Sequence, residues 1–145
     1  MESISRVINK EDIMIREAEQ RDRDRIEELY KILIPDDNEI IVKKERIDQV
    51  KQDPHNFLYV NEIEGRVEGT VLLTICLDVM YGNRPYAVVE YVIVDPDCRG
   101  MGVGKELFNH VEDYCKKIGC REILLMSNVK RLAAHEFLKD KDLAM

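Results

Sequence analysis

The run Asp95-Pro96-Asp97-Cys98-Arg99-Gly100-Met101-Gly102-Val103-Gly104-Lys105 alternates glycines with other residues between two cations. Glycine lets the main chain approach a ligand closely. If the run opens a helix, its first-turn N–H groups lack intrahelical acceptors and carry the positive end of the helix dipole. Such a loop suits a pyrophosphate, with Arg99 and Lys105 adding charge. A Walker loop would need glycine where Arg99 stands and Ser or Thr where Glu106 stands. A dinucleotide fingerprint beginning at Gly100 would need glycine where Lys105 stands. Neither pattern is present, so what remains is an anion site of another kind. The second chemical residue is Glu90, a carboxylate inside the apolar run Ala87-Val-Val-Glu-Tyr-Val-Ile-Val94, where a charge is costly unless paired or used. Cys76, Cys98, Cys115 and Cys120, with His55, His110 and His135, are scattered without metal-ligand spacing, so reduced thiols and no metal site are expected. Cys98 is set apart by its place in the glycine loop.

These residues need elements to position them. Ile13 to Arg16 reads as a short strand, followed by Asp22 as a helix cap and Ile26, Leu29, Tyr30 and Leu33 at helical spacing, ended by Pro35. A second helix is expected over Lys43–Gln52, stopped by Asp53-Pro54. Phe57 to Val60, a Gly65 turn and the run from Val71 to Val79 read as two antiparallel strands. A turn at Tyr81 to Pro85 leads into a central strand, Tyr86 to Val94. Val103, Leu107, Val111, Cys115 and Ile118 recur at helical spacing up to Gly119, and a strand (Glu122 to Ser127) and a helix (Arg131 to Lys139) follow. The order is β-α-α-β-β-β-α-β-α.

Val92-Ile-Val-Asp-Pro-Asp-Cys-Arg-Gly-Met-Gly-Val-Gly104 resembles the acetyl-CoA loop of the GNAT family of N-acetyltransferases, its motif residues being Arg99, Gly102 and Gly104. Ser127-Asn128 with Ala133-Ala134-His135-Glu136-Phe137 is similar to a later family segment. The resemblance implies a single domain over residues 1–145 of mixed α+β class, with a central, mostly antiparallel sheet flanked by helices. It implies that the main chain of Val92, Ile93 and Val94 pairs with the pantetheine arm of acetyl-CoA. The N–H groups across Arg99, Gly100, Met101, Gly102, Val103, Gly104 and Lys105 would hold the pyrophosphate, and Asn128 would lie near the same co-substrate. Glu90 would be the base in direct acetyl transfer to a primary amine of a small molecule or peptide, and an N–H near Val94 would hold the oxyanion.

Alternation puts Glu90, Val92 and Val94 on one face unless a bulge intervenes, and the family commonly has one here. The tyrosine that commonly protonates the leaving thiolate has no counterpart, since Leu138 follows Phe137, and no general acid is carried over. The stretch after Phe137 is too short for the family's final strands, so these are expected to be truncated. Further residues, a shortened fold, or a partner chain (a homodimer included) over the exposed sheet edge stay open. Leu138 and the short end favour a second reading, an acetyl-CoA-binding module without transfer activity that serves as a sensor or partner subunit. The acidic loop Pro35 to Glu39 lies in a region that lines the family's acceptor cleft, where it would favour a cationic amine; chance placement in an acidic chain accounts for it equally.

With 22 basic and 29 acidic residues and a net charge of -7, the chain is not built for a nucleic-acid backbone, so any anion must be held locally. No apolar stretch approaches the roughly 20 residues that cross a bilayer, and MESISRVINKED lacks the apolar core of a secretory signal. A soluble, cytoplasmic protein without membrane or nucleic-acid partners is expected.

Overall fold

The alternating and β-branched stretches become strands, and the segments of helical spacing pack on both sides of the sheet they form. A computed structural model describes residues 12–126. Strands β1 (Ile13–Glu17), β2 (Asn56–Ile63), β3 (Arg66–Cys76), β4 (Tyr86–Val94) and β5 (Ile123–Met126) form one sheet in that order. The first four pair antiparallel, and β5 joins β4 in parallel after the crossover helix. Helices α1 (Arg23–Leu33) and α2 (Lys44–Gln52) precede β2, and α3 (Val103–Lys117) connects β4 to β5. The mixed α+β class with a mostly antiparallel sheet is as expected.

Strand alternation divides the core. Val71, Leu73, Ala87 and Val89 pack on Leu107, Phe108 and Val111 of α3. Leu58, Val60 and Ile93 pack on the other side with Ile26 and Leu29 of α1 and Ile47 of α2. Gly69 of β3 is required by close approach: a Cβ there would sit 3.0 Å from Leu107 Cδ1 and 3.1 Å from Val103 Cγ1. The missing side chain lets the first turn of α3 rest on the sheet, directly behind the glycine loop.

Some local expectations change. β3 ends at Cys76, and Leu77, Val79 and Met80 are exposed outside it. The Asp78 carboxylate accepts the Met80 N–H at 2.9 Å, turning the chain off the sheet before Val79. Asp22 occupies the N-cap of α1, but its side chain does not cap the helix. It accepts the Glu19 N–H at 2.8 Å and the Arg16 guanidinium at 2.7 Å, tying the short turn before α1 to β1. The expected final helix Arg131 to Lys139, Asn128 and the chain end lie outside the described residues.

Candidate functional site

The glycine loop begins where β4 ends. Asp95 accepts the Asp97 N–H on its carboxylate at 2.8 Å and the Cys98 N–H on its carbonyl at 2.9 Å, folding Pro96–Cys98 into one tight turn. The chain then passes Gly100 at φ 82° and Gly102 at φ 83°, both left-handed and strained for any residue with a Cβ. Gly102 caps α3, its carbonyl accepting the Glu106 N–H at 3.0 Å. The N–H groups of Val103, Gly104 and Lys105 fall in the first turn, where no intrahelical acceptor exists. Arg99 and Lys105 are exposed, and neither makes an ion pair or side-chain hydrogen bond among the described residues. One turn thus carries both first-turn N–H donors and two cations without partners among the described residues, a set whose chemistry fits a pyrophosphate. Met101 instead turns partly inward, against Ile63, Cys98 and Val103.

The loop is held by a buried network that sequence reasoning missed. Arg25 of α1 donates to Asp95 Oδ2 at 2.6 Å and to the Val67 carbonyl at 2.6 Å, and lies 3.6 Å from Glu68 Oε1. Glu68 is 2% exposed, accepts a hydrogen bond from the Cys98 thiol, and receives the Asp95 N–H on its carbonyl at 2.8 Å. Burial disfavours a charged Asp95, but the hydrogen bonds from Arg25 and the Asp97 N–H outweigh it and hold the carboxyl below its ordinary 3.8. Cys98 is therefore a buried strut under the loop. The available signal was Glu68 itself, a carboxylate in an apolar strand as conspicuous as Glu90.

Glu90 corrects the simple alternation. Thr70 pairs with Ile93 and Leu72 with Glu90, so one residue of β3 faces both Tyr91 and Val92, and Tyr91 takes φ 54°. This bulge turns Glu90 to the α1 and α2 face beside its cross-strand partner Leu72, while Val92 packs on the α3 side. Glu90 and Val92 hence lie on opposite faces. Tyr91 projects toward Tyr30 of α1, with ring centroids 5.8 Å apart. Burial, and then the nearby Tyr91 and Glu90, push the Tyr30 phenol well above its ordinary range and keep it protonated. Ahead of the loop, the Asp95 N–H turns toward β3, so alternation turns those of Val94 and Val92 away from it. Among the described residues, β4 pairs with β5 over Ala87 to Glu90.

Other candidates lie apart. No disulfide joins Cys76, Cys98, Cys115 or Cys120. Asp36, Asp37 and Glu39 are exposed, with Asp37 accepting the Glu39 N–H at 2.9 Å. Among the described residues, they do not border the cavity of about 330 Å³ between α1, α2 and the sheet, which the same connection reaches through Ile41, Val42 and Lys43. Among the described residues, no helix is long and apolar enough to cross a membrane.

Residues 17–140 match the family model described as "Acetyltransferase (GNAT) family". An uncharacterized N-acetyltransferase of Methanocaldococcus jannaschii is 34% identical over 90 residues, 62% of this chain and 39% of that relative. Glucosamine 6-phosphate N-acetyltransferase of Trypanosoma brucei brucei is 32% identical over 81 residues, 56% of this chain and 55% of that relative. The chain thus matches 39% and 55% of the lengths of these curated relatives. A solved Trypanosoma brucei acetyltransferase superposes with TM-score 0.70 at 28% identity, over 88% of this chain and 91% of that one.

Proposed function

Because the chain belongs to the acetyltransferase (GNAT) family, we propose that it transfers an acetyl group from acetyl-CoA directly to a primary amine of a small molecule or peptide. The observation that carries this reading is the strand–loop–helix at Val92–Lys105, with its left-handed glycines, first-turn N–H groups and two unpaired cations. In it, the N–H groups of Gly102 to Lys105 hold the pyrophosphate, Arg99 and Lys105 neutralise it, and the main chain of Val92 to Val94 pairs with the pantetheine arm through groups other than the Val94 N–H. Asn128 is assigned to the same co-substrate from its sequence context alone.

Acetyl-CoA supplies an activated thioester. The amine nitrogen attacks the thioester carbon, the C–N bond forms, the C–S bond breaks, and the thiolate leaves to take a proton from solvent. Glu90 accepts the proton that the amine loses, directly or through one water. The Val94 N–H holds the negative charge that develops on the carbonyl oxygen. The bulge at Tyr91 separates these duties, with the base on the α1 and α2 face and the thioester-binding main chain at the strand edge.

Calorimetry with acetyl-CoA, followed by thiol-release assays over a panel of primary amines, tests the reading. Binding with amine-dependent release is expected. Absence of acetyl-CoA binding overturns it, and binding without release for any amine leaves the non-catalytic module as the better account.

A further inference from the structure

Among the described residues, Arg16, Arg21, Arg23, Arg25, Arg66 and Arg121 form ion pairs, and Arg84 donates to the carbonyls of Gly119 and Cys120. Arg46 and Arg99 do neither. In a chain with 29 acidic and 22 basic residues, unpaired arginines are not explained by a shortage of carboxylates. Arg99 sits on the glycine loop. Arg46 sits with Lys43 on the edge of the cavity of about 330 Å³ between α1, α2 and the sheet, a volume at the small end for ligand pockets. Both cations are exposed, and among the described residues the cavity is bordered by no carboxylate. Its walls are apolar, including Ile47, Leu58 and Leu72, apart from the half-buried Tyr30.

The cavity adjoins the chemistry through two contacts. Leu72 in its wall is the cross-strand partner of Glu90, and Tyr30 in its wall meets Tyr91 at the bulge. An amine at Glu90 would extend its body along Leu72 and Tyr30, and whatever it carries at the far end would meet Lys43 and Arg46. A second ammonium there would face two cations with no carboxylate to offset them, whereas an anion would gain charge-assisted hydrogen bonds. We propose that this cavity takes the acceptor, and that the acceptor is an amine with an apolar body and, remote from the nitrogen, a carboxylate or phosphate. This rests on the acetyl-transfer reading for the role of the occupant, but its chemistry is fixed by the cavity alone.

The test therefore uses probes without a transferable amine and omits acetyl-CoA. NMR titration compares 4-phenylbutyrate and phenyl phosphate with the neutral 4-phenylbutyramide on the intact chain, following amides of α2 and β3. At least one anion should bind roughly tenfold more tightly than the amide and shift resonances near Arg46 and Leu72; which anion does so separates carboxylate from phosphate. In Arg46→Ala and Lys43→Ala/Arg46→Ala, both at exposed positions, that preference should disappear with the fold unchanged. Equal binding of all three probes, tighter binding of the amide, no binding, or a preference that survives the double variant overturns the proposal. Anion-selective binding in a protein that transfers no acetyl group would overturn only the transfer reading, and transfer to amines without anion-selective binding would overturn only this one.

Discussion

The glycine loop and the α1–α2 cavity are built from different materials. The loop is eleven consecutive residues, Asp95 to Lys105, and its donors are main-chain N–H groups. The cavity is assembled from side chains between Ile26 and Leu72, drawn from two helices, a connection and two strands. A main-chain site needs left-handed backbone and therefore glycine at Gly100 and Gly102, which marks the sequence. A cavity needs only that apolar walls fail to meet, and apolar residues at helical spacing look the same whether or not they close on each other. Contiguity makes a site readable; assembly across the fold hides it.

The difference can be tested by variants that strike one region and spare the other. The largest expected effect is on Glu90, at the boundary between them. Glu90→Gln should lower turnover by about a thousandfold while acetyl-CoA affinity, measured by calorimetry, stays unchanged. Equal loss in both quantities would mean that base and co-substrate site are not separable. Next is Arg25→Ala, which leaves the buried Asp95 without its hydrogen-bonded cation and Glu68 with Arg66 alone at 3.4 Å, the Arg25 and Asp95 side chains being 12% and 8% exposed. It should cost about 3 kcal/mol in urea unfolding and weaken acetyl-CoA binding, although Arg25 belongs to α1. Unaltered stability would show that the loop does not depend on this network.

Gly102→Asp should reduce acetyl-CoA affinity by about a hundredfold, through backbone strain at φ 83° and a negative charge beside the pyrophosphate. Binding of 4-phenylbutyrate at the cavity should not change, and loss of both would erase the distinction between the regions. The smallest effect is a pH dependence on the α3 side. His110 packs edge-on against Tyr59 at 4.6 Å, and burial lowers its pKa below the ordinary 6.5 despite the opposing charge of Asp113. The unfolded chain thus protonates first as pH falls. The contribution is complete above 6.5 and declines as pH drops from there toward the folded value. The urea midpoint should decrease between about pH 7.5 and about pH 5.5, and less so in His110→Gln.

Much of the fold was legible because its signals are local. Strand β4, the helix from Val103 and the stops at Pro35 and Gly119 follow from β-branched runs, helical spacing and glycine or proline chemistry. Where expectation and structure part, a non-local partner or a side-chain competitor decides. The Asp78 turn cuts short the run toward Val79. Asp22 abandons its cap for Arg16, a residue of strand β1. The face of Glu90 depends on whether β3 supplies one residue or two opposite Tyr91 and Val92, which no period within β4 can reveal.

From the sequence alone came the proposed anion loop, because close approach of main chain to a ligand demands glycines in a fixed order and cations beside them. The oddity of Glu90 came from it as well, because a charge in an apolar strand stands out wherever it points. Only the tertiary structure decided which way Glu90 points, that Arg25 and Glu68 hold the loop from beneath, and that Arg46 stands unpaired beside an apolar cavity. Each of these depends on distances between segments remote in the chain, set by strand register and helix packing rather than by the residues that carry the chemistry.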